Sequence, residues 1–256
     1  MNVKVIIATH KSYAMPADPM YLPVHVGAEG KNPIGYTPDN SGEHISTKNA
    51  TFCELTGLYW AWKNLDADYI GLAHYRRHFA LGRKGEPMER VLTGDEAQAL
   101  LEGKDGILPK KRQYVIENLY SHYAHTCHVG PLDITGEIIR EKYPDYAPAF
   151  DHLKKRTGAH MFNMMILRRD HLDAYCTWLF DILFELEKRV DASQYDSFHA
   201  RFFGRVSELL LDVWLEQNPL NCAEVPVISM EPVNWFKKGG SFLLAKFTGK
   251  KYGKSF

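Results

Sequence analysis

The chain of 256 residues is long enough to bury a substantial core and falls within the range of one large domain or two small ones. Hydrophobic residues make up 45% and charged residues 24%, as in an ordinary globular protein. The 31 basic and 31 acidic side chains cancel, so no global positive field exists to recruit nucleic acid.

Residues 3–8 form a β-branched apolar run that stops at Thr9-His10-Lys11. This predicts a buried parallel strand, and ligands of α/β sheets bind beyond the carboxyl ends of such strands. The run carries one lysine and no small-residue cleavage site, so it reads as a strand and not as a secretory signal. Residues 21–26 are a second strand candidate. Residues 27–49 follow as a long loop with the turn cluster Thr37-Pro38-Asp39-Asn40-Ser41-Gly42; loops of that length in compact domains are usually functional or disordered, and the periodic helix that comes next favours a functional one. A periodic helix is predicted over 50–64, with Phe52, Leu55, Tyr59 and Trp62 on one face and Ser46 or Asn49 as its cap. Residues 69–73 give another buried strand, which ends at His74-Tyr75-Arg76-Arg77.

Downstream, the pattern predicts helices over 93–101, 115–127, 132–143, 169–189 and 202–217. Strands are predicted over 106–109, 159–167 and 225–228, with a Pro-rich turn before the second of these. Strands alternating with helices argue for an α/β sandwich around a mostly parallel sheet. The chain divides into a domain over 1–231 and a tail over 232–256. The tail has no acidic residue and alternates lysines (Lys237, Lys238, Lys246, Lys250, Lys251, Lys254) with aromatic and aliphatic side chains. That composition suits the surface of an anionic membrane, and equally a solvated tail folded back on the core. No apolar run approaches the ~18–20 residues that span a bilayer. The four cysteines form no C-x-x-C pair and read as buried thiols of a reducing compartment. A cytoplasmic protein is expected, peripheral to the inner membrane face through its tail.

Arg76 and Arg77 at the mouth of a buried strand need acceptors, and guanidinium forks match phosphate geometry, so a nucleoside diphosphate is one partner and surface carboxylates are the other. Asp39 to Glu43 carry oxygen ligands at alternate positions but lack the remainder of a calcium loop, which favours an Asx-turn. His122, His125 and His128 lie three residues apart, followed by Asp133, a spacing open to a metal or to histidines that line a cleft at a helix end. Glu208 opens an otherwise apolar helix, as a helix-dipole carboxylate or as a general base for an attacking hydroxyl. Nothing matches G-x-G-x-x-G, a Walker loop or G-x-S-x-G, which argues against a dehydrogenase, NTPase or α/β-hydrolase.

The runs Asp39 to Ser46, Glu54-Leu55-Thr56-Gly57-Leu58-Tyr59-Trp60-Ala61-Trp62-Lys63-Asn64 and His74-Tyr75-Arg76-Arg77 resemble a family of uncharacterised domains from bacterial capsular and exopolysaccharide clusters. Its members are described as glycosyltransferases, some as galactofuranosyltransferases. The likeness continues through Ile107-Leu108-Pro109-Lys110-Lys111-Arg112, Met161-Phe162-Asn163-Met164, Tyr175 to Leu183 and Phe203 to Glu208, covering roughly residues 3–230. Where the family usually reads Ser-Glu-Arg-Leu, this chain has Ser207-Glu208-Leu209-Leu210, so no arginine role carries over there.

The resemblance implies a GT-A-like nucleotide-binding sandwich that accepts a UDP-sugar and passes the sugar to a lipid-linked glycan. It implies donor contacts at Thr9, His10, Lys11, Asp39, Asn40, Asn49, Tyr75, Arg76 and Arg77. Glu208 and His74 are then the expected catalytic residues, and His122, His125, His128 and Asn163 the acceptor side. Most enzymes of that fold hold a divalent metal on Asp-x-Asp after a strand, where this chain has His-Tyr-Arg-Arg. The expectation is that Arg76, Arg77 and His74 supply the positive charge, with Mn2+ or Mg2+ as the alternative source. Two other classes stand beside it: a non-catalytic nucleotide-sugar or glycan-binding module, and a metal-dependent hydrolase on His122, His125, His128 and Asp133.

Overall fold

The structure, a computed structural model, describes residues 1–114 and 117–231. The basic tail and the first two residues of the helix expected over 115–127 lie outside the described residues.

β1 (Val3–Thr9) buries Val5, Ile6 and Ile7 completely, as an unalternating β-branched run must when helices or loops cover both faces. β2 (Tyr21–His25) pairs with it in parallel, and β3 (Thr37–Pro38) extends the sheet in parallel to β2. The helix expected over 50–64 is broken. α1 (Asn49–Phe52) ends at Cys53, whose φ of 53° is left-handed, and α2 (Leu55–Asn64) begins anew after Glu54. A single residue in that region cannot continue a right-handed helix.

β4 (Tyr69–His74) pairs in parallel on the other side of β1, and β5 (Arg77–Phe79) folds back antiparallel to it. α3 (Gly94–Leu101) starts at Thr93, whose side chain and that of Glu96 form a reciprocal capping box. β6 (Gly106–Pro109) follows, then β7 (Arg112–Gln113) and α4 (Leu119–Thr126), which starts later than expected because Asn118 caps it by accepting from Ser121 N at 2.7 Å.

Next come α5 (Gly130–Lys142) and α6 (Ala147–Lys155), the latter inside the expected Pro-rich turn. Proline in the first turn of a helix loses nothing, because its missing N–H would have had no partner there. The strand expected over 159–167 is two pieces, β8 (Gly158–Ala159) and β9 (Met165–Arg168). They are separated by Phe162 and Asn163 at φ 73° and 54°. α7 (Arg169–Arg189) and α8 (Phe202–Gln217) match their expected bounds. The last expected strand is likewise split at Pro226 into β10 (Cys222–Val225) and β11 (Val227–Ser229).

The main path of the sheet runs β10-β6-β9-β4-β1-β2-β3, with β5 and β11 paired beside β4. Its neighbours are parallel except around β9, which runs antiparallel between β4 and β6. The expected α/β sandwich with a mostly parallel sheet is therefore the fold. Alternate residues of β1 serve different layers, as the strand period demands. Ile6 and Ala8 pack with α2 and the helices α4 to α8, while Val5 and Ile7 pack with Ala97 and Leu101 of α3. Gly71 of β4 allows β9 to come close, since a Cβ there would stand 2.7 Å from Met165 O. Among the described residues, no helix is long and apolar enough to cross a membrane.

Candidate functional site

The parallel strands β1, β4, β6 and β10 discharge at one end of the sheet, and the antiparallel β9 begins there. His74, Asn163 and the residues that follow β1 and β6 therefore meet on one rim. The two left-handed residues carry much of that meeting. Phe162 O lies 2.6 Å from His74 Nε2, and Phe162 N donates to Glu208 Oε2 at 3.2 Å. Asn163 is buried, and its amide donates to Glu54 Oε1 at 2.6 Å and to Gly204 O at 2.9 Å while accepting from Ser207 Oγ at 2.8 Å. Asparagine tolerates positive φ better than other side-chain-bearing residues, and this network repays the strain.

Glu208 is the most perturbed carboxylate of the cluster. Burial, reinforced by the charge of Glu54, pushes its pKa up to about 7, against the opposing pull of the Phe162 N–H, Arg77 and Arg205. A carboxyl group poised near neutrality suits general base work. Burial also lowers the pKa of His74, so the imidazole is neutral at neutral pH. His74 therefore does not carry the positive charge expected of it.

Arg76 and Arg77 point to different surroundings. The Arg76 guanidinium bonds to Tyr75 Oη at 2.9 and 2.7 Å and pairs with Glu231 at 3.4 Å. Arg77 is half-buried, with its guanidinium 4.5 Å from the centre of the Phe162 ring and Glu208 as its principal attractive charge. Tyr75 is the centre of an aromatic group, with His10 edge-on at 5.4 Å, Tyr13 at 5.1 Å and Lys11 Nζ at 5.3 Å. Burial first, then Lys11, Arg76, Lys31 and Arg201, lowers the pKa of His10, so this rim is electropositive. Thr9 is buried and bonds to Lys11 O at 2.6 Å, which turns the chain at the end of β1.

Other expected donor contacts are bound up in the fold. Asp39 is fully buried, and its carboxylate accepts from Gly27 N at 2.8 Å, Ala28 N at 3.0 Å and the Ser46 hydroxyl. Asn40 bonds to Glu29 at 3.0 Å, and Asn49 holds Cys53 O at 2.7 Å and Thr56 Oγ1 at 3.2 Å. These residues shape the loop before α2 and the break ahead of it.

Of the three histidines, His122 and His125 meet at Glu117 while His128 stands apart. His125 pairs with Glu117 at 2.9 Å, His122 lies 3.7 Å from the same carboxylate and against the Tyr114 ring, and His128 packs on His199 and Tyr195. Burial, with Arg112 next, pushes the pKa of His122 down to about 4. Asp133 bonds to Tyr120 instead, and no group of His, Cys, Asp or Glu among the described residues is arranged to hold a metal. At the opposite end of the sheet, a cleft lined by Asn2, Asp68, Arg168, Arg169, Asp170 and Asp173 is occupied by its own ion pairs.

Glu54, Arg112, Arg201 and Arg205 belong to the same rim and were not singled out from the sequence. Arg201 donates to Cys53 Sγ at 3.0 Å and Arg205 to Cys127 Sγ at 3.0 Å. The signal for Arg112 was available, since it follows the end of β6 as Arg76 follows β4.

A solved structure described as the apo form of the bifunctional glycosyltransferase WbbM is similar to this chain, with a TM-score of 0.84 and 30% sequence identity over 91% of this chain. The chain spans 46% of the length of that protein. No curated protein sequence matches it. Residues 4–219 match the domain of unknown function DUF4422, and the chain belongs to that family.

Proposed function

We propose that the chain is a glycosyltransferase that moves a sugar from a UDP-sugar to a glycan hydroxyl at the carboxyl end of its sheet. The observation that carries this reading is the convergence there of Glu208, with its pKa near 7, Glu54, neutral His74 and half-buried Arg77, in a chain similar to a glycosyltransferase along most of its length. In such a transfer the acceptor oxygen attacks the anomeric carbon as the bond from that carbon to the diphosphate oxygen breaks. Glu208 takes the proton of the acceptor hydroxyl. The arginines stabilise the charge that builds on the departing diphosphate, the role that a divalent metal has in most enzymes of this architecture.

The donor base and ribose are assigned to the rim of Thr9, His10, Lys11 and Tyr75, with Arg76 beside them. Asp39, Asn40 and Asn49 act from behind by shaping the loop. Galactofuranose as the sugar, and a lipid-linked glycan of capsular or exopolysaccharide assembly as the acceptor, follow from the family resemblance. UDP release from a panel of UDP-sugars, UDP-galactofuranose included, tests this reading. Release should persist in EDTA; loss of all release in EDTA, restored by Mn2+, contradicts the arginine assignment.

A further inference from the structure

Arg77 and Arg112 come from different strands yet approach the same ring. The Arg77 guanidinium lies 4.5 Å and that of Arg112 6.0 Å from the centre of Phe162. One strand pairing brings Arg112 to the ring: β7 runs antiparallel to β8, with Arg112 opposite Ala159, and β8 leads into the left-handed turn that presents Phe162. Arg112 also stands 5.1 Å over Tyr114.

Neither guanidinium makes an ion pair or a hydrogen bond among the described residues, whereas Arg76, Arg156, Arg168, Arg169 and Arg189 all have carboxylate partners. Arg77 is half-buried, Arg112 and Arg76 repel it, and its main attractive charge is Glu208, a group that is only partly ionised at neutral pH. Two cations held around one ring, with no ion-paired carboxylate and only a partly ionised Glu208 nearby, are unfavourable in an isolated fold. A bound anion removes that cost, and two planar forks suit the several oxygens of a phosphate group.

We infer that Arg77 and Arg112, set around the Phe162 ring, form a two-guanidinium site for a diphosphate group. Arg112 is thereby a binding residue alongside Arg77, while Arg76 stands apart against Tyr75 and Glu231. The site lies beside Glu208, so a diphosphate there sits next to the group assigned to take the proton. Its assignment to a sugar donor rests on the transfer reading above; its affinity for a diphosphate does not. The same chemistry is offered by the diphosphate of a nucleotide sugar and by that of a lipid carrier.

Calorimetric titration of the full chain with inorganic pyrophosphate, UDP and dimethylallyl diphosphate tests the site. The wild type should bind pyrophosphate, and Arg77→Ala and Arg112→Ala should each weaken that binding at least tenfold. Arg112→Lys keeps the charge but not the fork and should recover part of the affinity. Thermal melting identifies any variant that fails to fold, and Arg112, on a two-residue surface strand, is the deciding position. A parallel loss for UDP assigns the site to the donor, and a parallel loss for dimethylallyl diphosphate assigns it to a lipid-linked acceptor. Wild-type chain that does not bind pyrophosphate, or an Arg112→Ala variant that binds all three ligands as the wild type does, overturns the inference. Absence of sugar transfer with pyrophosphate binding intact would count against the transfer reading alone.

Discussion

Glu208 is held partly protonated at neutral pH because burial penalises its charge and the carboxylate of Glu54 repels it, while the Phe162 N–H and two arginines only partly offset this. Its pKa is raised from 4.5 to about 7, so the folded chain binds that proton more tightly than the unfolded one. The contribution of this group to stability is therefore fully present below pH 4.5 and is lost as pH rises through 7. Glu208→Gln should remove that decline, narrowing on the order of 3 kcal/mol of pH-dependent stability between pH 5 and 8, as read by urea denaturation. Asn163 gives a second test at this scale. Asn163→Ala leaves Glu54, Gly204 O and Ser207 short of a partner at a left-handed backbone position, and should cost about 3 kcal/mol. Asn163→Gly loses the same bonds without the backbone strain and should be about 1 kcal/mol less destabilising.

The elements bring these residues together through two close fits. β9 passes Gly71 of β4 with no room for a side chain, and it starts at the turn that carries Phe162 and Asn163. Gly71→Ala should therefore lower the melting midpoint through an overpacking cost of about 1–3 kcal/mol and disturb the rim as well as the core. Asp39 fastens the loop between β2 and α1 through bonds to Gly27, Ala28 and Ser46. Asp39→Ala should open that loop to limited proteolysis within residues 27–46, while cleavage elsewhere stays as in the wild type. The regular elements were legible from periodicity: α7 and α8 have the bounds that their apolar spacing predicts, and the β-branched runs at β1 and β4 mark the sheet. The breaks at Cys53, Phe162 and Asn163 were not, because left-handed backbone at non-glycine residues leaves no pattern in hydrophobicity. Those breaks position Glu54 and the turn facing Glu208, so the least legible backbone carries the candidate chemistry.

For the whole molecule, the sheet sorts charge by its two ends. The far end holds ion pairs that neutralise one another, among them Arg168 with Asp170 and Arg169 with Asp173. The carboxyl end instead concentrates cations around a few buried carboxylates and leaves Arg77 and Arg112 unpaired among the described residues. Strand-end logic read from the sequence located His74 to Arg77 and Thr9 to Lys11 on this rim. It did not reveal that Arg76 and Arg77 face apart, nor that Asp39 turns inward, because both depend on contacts between distant segments. The family match and the likeness to a glycosyltransferase give the rim its chemical context. The most direct test of the proposed transfer centre is the pH profile of UDP release from a UDP-sugar by the wild-type chain and by Glu208→Gln. The wild-type rate should rise with pH through about 7, and the variant should be reduced to background throughout. A Glu208→Gln variant that keeps both the rate and the rise would contradict the proposed centre.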